Sequence, residues 1–127
     1  MIEMTPRLPV VYIAGPYRAP TPWKVLANIR TAQVAALEVW KAGAVALCPH
    51  SNTGLFDGEA EDQVWLDGDI ELLRRCDALW LVAGWYRSTG ARAEQDLANE
   101  LGLPVFHPEE GAALRAWIVK WLSLIHI

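Results

Sequence analysis

The chain has 127 residues, 53% of them hydrophobic and 20% charged, a balance that suits one folded domain with its own core and excludes a disordered chain. A formal net charge of −4 argues against a surface that tracks nucleic-acid phosphates, and no run reaches the ~18 apolar residues of a membrane span. Cys48 and Cys76 are the only thiols and are far apart in sequence, so they read as reduced, buried and structural, in a cytoplasmic setting.

Met1 to Leu8 carries no signal-peptide pattern and reads as a frayed lead-in. Pro9 to Ala14 is short, β-branched and apolar without alternation, as expected of a strand buried on both faces. Gly15-Pro16 breaks it, and Tyr17 to Thr21 form a loop. Pro22 then suits the first turn of a helix capped by Thr21. Val25, Ile29, Ala32, Ala36 and Trp40 recur at helical spacing to about Ala42, where Gly43 stops the helix. Ala44 to Cys48 is a second buried strand. Pro49 to Asp62 is polar, rich in turn residues and long enough to be functional.

A helix from about Gln63 to Arg75 follows, then a strand at Ala78 to Ala83, a loop at Gly84 to Thr89 and a helix at Gly90 to Leu101. Leu103 to Phe106 give a fourth strand and Glu109 to Leu122 a last helix, while residues 122–127 have the look of a non-native tail. Strands alternating with helices predict a single α/β domain over 1–127, a Rossmann-like (flavodoxin-like) three-layer sandwich. Its sheet should be mainly parallel, four- to five-stranded, in the order 2-1-3-4. Ligands of such sheets bind beyond the carboxyl ends of the strands at the switch point, here between the first and third strands.

Two carboxylates sit where carboxylates rarely belong. On a 3.6-residue period Asp69 interrupts the apolar stripe Leu66, Ile70, Leu73 and Cys76, and Glu94 shares a face with Ala91, Ala98 and Leu101. An inward acid costs stability unless it is paired, hydrogen-bonded or neutralised, so two of them flanking one strand point to a site. The loops leaving the first and third strands, Gly15-Pro16-Tyr17-Arg18 and Gly84 to Gly90, lie at the same end. The second feeds a helix N-terminus, where backbone N–H groups can receive an anion and Arg18 can add donors. Ser88 fits a helix cap as well as a ligand contact. His50 and Asn52 follow the second strand and can meet a base, or merely belong to a polar loop. Trp85 and Tyr86 suit stacking on a nucleobase or packing at a dimer contact. Tyr12 also fits a core tyrosine with a satisfied hydroxyl. Asp77 reads as a residue that fixes the strand entrance. His50, His107 and His126 have no metal-ligand spacing with either cysteine, so no metal and no other cofactor is expected.

Tyr12-Ile13-Ala14-Gly15 with Arg18, Asp69 on a helix, and Ser88-x-Gly90-x-x-x-Glu94 together resemble the nucleoside 2-deoxyribosyltransferase-like superfamily. Within it the chain is similar to small phage and bacterial domains of unknown function and to the 2'-deoxynucleoside 5'-monophosphate N-glycosidases, over roughly Val10 to Phe106. The resemblance implies that Glu94 is the nucleophile, Asp69 the acid near sugar and leaving base, and Tyr12 the phenol that orients Glu94. It also implies that Gly15, Arg18, Ser88 and Gly90 cradle a 5'-phosphate. Pro16 stands where those hydrolases have serine, which removes a hydroxyl and an N–H donor, and Ala19 replaces a glycine. The C-terminal polar residue that transferases lend to a neighbouring subunit has no counterpart here. The expectation is therefore hydrolysis or transfer at the N-glycosidic bond of a (deoxy)nucleoside or its 5'-monophosphate, by a homodimer or larger assembly. The alternative is a non-catalytic binder that sequesters a nucleotide or nucleotide-derived signal.

Overall fold

The computed structural model describes residues 7–125; most of the expected lead-in, together with His126 and Ile127, lies outside them. Strand β1 (Val10–Ala14) leads to helix α1 (Pro22–Lys41), strand β2 (Val45–Leu47), the single turn α2 (Pro49–Asn52) and helix α3 (Asp62–Arg74). Strand β3 (Ala78–Leu81), a 3-10 turn (Trp85–Arg87), helix α4 (Thr89–Glu100), strand β4 (Val105–Phe106) and helix α5 (Gly111–Ile125) complete the chain.

The four strands form one sheet in the order β2-β1-β3-β4, and every pairing is parallel, with Val10 opposite Val45, Val11 opposite Ala78 and Leu79 opposite Val105. The fold class and strand order read from the sequence are those observed. Because side chains alternate across a strand, Val11 and Ile13 join the cluster of Ala32, Ala36, Val39, Leu114 and Ile118 from α1 and α5. Tyr12 and Ala14 point the other way, into Leu73, Leu79, Leu81, Ala91 and Ala98 beneath α3 and α4. Fully burying a side chain such as Leu73 or Leu79 contributes about 1.5–3 kcal/mol, and both are 0% exposed.

Local signals start and stop the helices as read. Thr21 accepts a hydrogen bond from the Lys24 N–H at 3.3 Å and Pro22 opens α1, while Gly43, at φ +98°, leaves it in the left-handed region. Two apolar positions are corrected. Trp40 is exposed and its neighbour Val39 is buried, so the inner stripe of α1 is Ala32, Ala35, Ala36 and Val39. Leu101 is also exposed, and Leu97 packs on the core from α4 in its place. At the sheet's entrance Asp77 accepts from the Val10 N–H at 2.8 Å and pairs with Arg7 at 2.6 Å. Trp117 lies tilted between Phe106 and Trp121, and the Trp121 indole donates to the Arg7 carbonyl at 2.9 Å. This pair of tryptophans thus serves the chain's own core. Helix α5 runs through the residues read as a tail as far as Ile125, and Leu122 packs against the core.

Candidate active site

At the carboxyl ends of β1 and β3 the chain departs in opposite directions, and the crevice left there opens into a cavity of about 830 Å³. That volume lies within the range of small-molecule sites. Gly15 begins the rim because only a glycine fits: a Cβ there would lie 2.1 Å from Val82 Cγ2. Gly84, at φ +83°, turns the chain out of β3 into the second rim loop.

The two inward acids both reach this cavity. Leu66, Asp69 and Ile70 of α3 line its wall, and only Leu73 and Cys76, further along the same stripe, enter the core. The stripe is apolar because it changes from cavity wall to core along its length. Glu94 lines the opposite side from the second turn of α4. Behind it, Tyr12 is completely buried and donates its hydroxyl to Glu94 Oε2. Burial raises the Glu94 pKa from 4.5 to about 7; the Tyr12 hydrogen bond pulls it down and the Asp69 charge pushes it up. Burial alone raises Asp69 to about 6. Tyr12 is pushed far upward by burial and by the Glu94 and Asp69 charges, so its phenol remains a donor throughout the working pH range. The helix N-terminus favours an ionised Glu94, but desolvation outweighs it. Both acids therefore titrate closer to neutrality than free carboxyl groups do, and the crevice can hold one proton between them.

The β1 loop is tightly held. The Pro16 carbonyl lies 2.8 Å from His50 Nε2, and since a carbonyl only accepts, that nitrogen carries the proton. Burial lowers the His50 pKa, which keeps the imidazole neutral. Tyr17 meets His50 edge to face at 5.4 Å, donates to Asp57 Oδ1 at 2.7 Å and accepts from the Leu55 N–H at 2.8 Å. The Asn28 amide donates to the Tyr17 carbonyl at 3.0 Å. Arg18 is paired with Asp62 at 2.7 Å and approaches Asp57 at 3.8 Å. Ser88 Oγ accepts from the Ala91 N–H at 3.1 Å while lining the cavity, so the cap and wall positions coincide. Gly90 also lines the cavity, and a Cβ there would meet only Ser88 Oγ, at 3.8 Å. Nothing in the chain itself requires glycine at that position.

Two sequence candidates lie elsewhere. Asn52 is exposed on α2, outside the cavity wall. Trp85 packs on the core and meets His107 edge-on at 5.6 Å, because the 3-10 turn rotates it inward. Tyr86 is exposed, with the Arg87 guanidinium over its ring. The tryptophan in the wall is Trp65, whose indole N–H is buried without a hydrogen-bond partner among the described residues. It lies four residues before Asp69, and that spacing places the two on one helix face. Asn28, Asp57, Asp62 and Arg87 are further wall residues that the sequence reading passed over. Among the described residues no group of three or more His, Cys, Asp or Glu side chains is arranged to hold a metal ion, and no helix is long and apolar enough to cross a membrane.

A family described as a domain of unknown function, DUF7768, matches residues 9–107. The chain belongs to that family. The DUF7768 match runs from the start of β1 to just past β4, and so contains every residue of the cavity wall. No curated protein matches the chain. Two solved structures share the fold. One is the 2-deoxyribosyltransferase of the psychrotolerant bacterium Bacillus psychrosaccharolyticus, described as a biocatalyst for nucleoside synthesis. It is 20% identical, with a TM-score of 0.59, over 77% of this chain and 70% of that one. The other is the 2-desoxiribosyltransferase of Leishmania mexicana, 22% identical, with a TM-score of 0.56, over 78% of this chain and 63% of that one. At these identities the likeness is one of fold, and the DUF7768 chain spans less than two thirds of the second protein.

Proposed function

We propose that this DUF7768 domain cleaves or transfers at the N-glycosidic bond of a (deoxy)nucleoside or its 5'-monophosphate. The observation that carries the reading is the arrangement of Glu94 and Asp69 in one cavity, with the Tyr12 phenol bonded to Glu94 from behind. In this mechanism a Glu94 carboxylate oxygen bonds to the anomeric carbon as the carbon–nitrogen bond breaks. The electron pair leaves with the base, and Asp69 delivers its proton to the departing base. Water, deprotonated by Asp69, then displaces Glu94 from the sugar and restores both groups. An acceptor base in place of water makes the same sequence a transfer. The likeness of fold to two deoxyribosyltransferases supports the reading. Incubation with a panel of nucleosides and nucleotides, followed by chromatography, is expected to show free base. Stoichiometric binding with every ligand recovered intact would replace the enzyme by a sequestering protein.

A homodimer or larger assembly belongs to the same proposal. Helix α1 carries Trp23, Leu26, Val34 and Leu37 on the side opposite its core stripe, and all four are exposed, Trp23 by 82%. An apolar strip of this kind on a helix already anchored by its other face suits a second copy of the chain. Leu26→Glu with Leu37→Glu is expected to halve the mass seen by light scattering at micromolar concentration. A monomeric wild type under the same conditions would remove the assembly.

A further inference from the structure

Four carboxylates and two guanidinium groups line the cavity: Asp57, Asp62, Asp69 and Glu94 against Arg18 and Arg87. The balance at the β1 loop is more lopsided than that count. Both terminal guanidinium nitrogens of Arg18 face acids, Nη2 at 2.7 Å from Asp62 and Nη1 at 3.8 Å from Asp57. The nearby Tyr17 hydroxyl is committed between Asp57 and the Leu55 N–H. Pro16 has no N–H to offer; Ser88 Oγ accepts from the Ala91 N–H and keeps its hydroxyl hydrogen as a donor. Arg87, the other cation of the wall, turns back over the Tyr86 ring.

We infer that Asp57 and Asp62 set the charge specificity of the cavity, so that it takes uncharged nucleosides with a free 5'-hydroxyl and discriminates against their 5'-monophosphates. This rests on the nucleoside reading above and narrows it to one substrate class. A phosphate is an acceptor with about −1.5 to −2 charge; to reach Arg18 it must displace two carboxylates that would remain beside it. A sugar hydroxyl is a donor, and carboxylate oxygens are its natural partners. An exposed ion pair contributes little by itself, and Arg18, Asp57 and Asp62 are all exposed. The selection therefore comes from the field of two acids at the mouth, Asp57 beside the Tyr17 hydroxyl and Asp62 beside Arg18.

Calorimetry on the full chain, with the four common 2'-deoxynucleosides, their 5'-monophosphates and inorganic phosphate, tests this directly. The wild type should bind its preferred nucleoside at least about tenfold more tightly than the matching monophosphate, the scale of one close charge contact in a wet cleft. Asp57→Asn with Asp62→Asn should tighten the monophosphate by about tenfold or more, in a salt-sensitive way, and weaken the nucleoside, whose 5'-hydroxyl loses its carboxylate partners. Adding Arg18→Ala to that pair should cancel the gain. Should the double variant fail to fold, Asp62→Asn alone is read by the same criteria. A wild type that binds monophosphate as tightly as nucleoside, an unchanged variant, or no nucleoside binding at all would each overturn the inference. Chromatography of the same samples separates the two proposals: nucleoside preference without base release sinks the glycosidase and leaves the charge selection standing.

Discussion

Glu94→Gln is expected to lower base release by ~10³-fold or more, the scale seen when a covalent nucleophile is removed, while nucleoside affinity changes by less than about threefold. The amide keeps the shape of the side chain and an oxygen for the Tyr12 phenol, so the cavity should be preserved. The same substitution should stabilise the fold above neutrality. The folded-state pKa of Glu94 is raised from 4.5 to about 7, so the protonated carboxyl is the form that packs well. Its contribution to stability is complete below pH 4.5 and is lost as the pH rises through about 7. Glutamine does not ionise, and at pH 8 the variant should gain roughly 2 kcal/mol over the wild type, a gain that vanishes at pH 4. Denaturant titrations at the two pH values measure it. Base release by Glu94→Gln at near wild-type rate would remove Glu94 from the mechanism, and an equal gain at both pH values would remove the buried-carboxyl argument.

Asp69→Asn is expected to cost ~10²–10⁴ in the rate of base release, the usual contribution of a positioned proton donor. The pH profile is the more discriminating measurement. Asp69 and Glu94 titrate near 6 and near 7, and the reaction needs one proton shared between them. In the wild type kcat/KM should therefore form a bell with its maximum between about pH 6 and about pH 7, falling on the acid side as both acids protonate and on the alkaline side as both ionise. Asn cannot titrate, so the variant should lose the alkaline limb and keep only an acid limb that reports Glu94 alone. A bell of unchanged width in the variant would assign the alkaline limb to another group.

The sheet was legible because four short apolar runs alternate with helical periods, a pattern that admits few topologies. The two acids were legible for a related reason: Asp69 and Glu94 each break a stripe, and the break is visible in one helix at a time. Trp40 misled because it continues the helical spacing as well as Val39 does, and only the small side chains of α1 allow it to lie close on the sheet. Trp85 misled because the segment read as an open loop is a 3-10 turn that lays its ring against the core. Asp57 and Asp62 could not be read as partners of Tyr17 and Arg18. Those contacts join segments some 40 residues apart, and no periodicity carries information across such a gap.

Tyr12 belongs to β1, which is hydrogen-bonded to β2 on one side and β3 on the other, whereas Arg18 and Asp57 belong to exposed loops at the mouth. Amide exchange in folded proteins is slowest in central strands and fastest in such loops. The carboxylate proposed as nucleophile is thus moored to the last part of the molecule to open, and the charged groups at the mouth ride on the first. The mouth can breathe many times over while the floor of the cavity keeps its alignment.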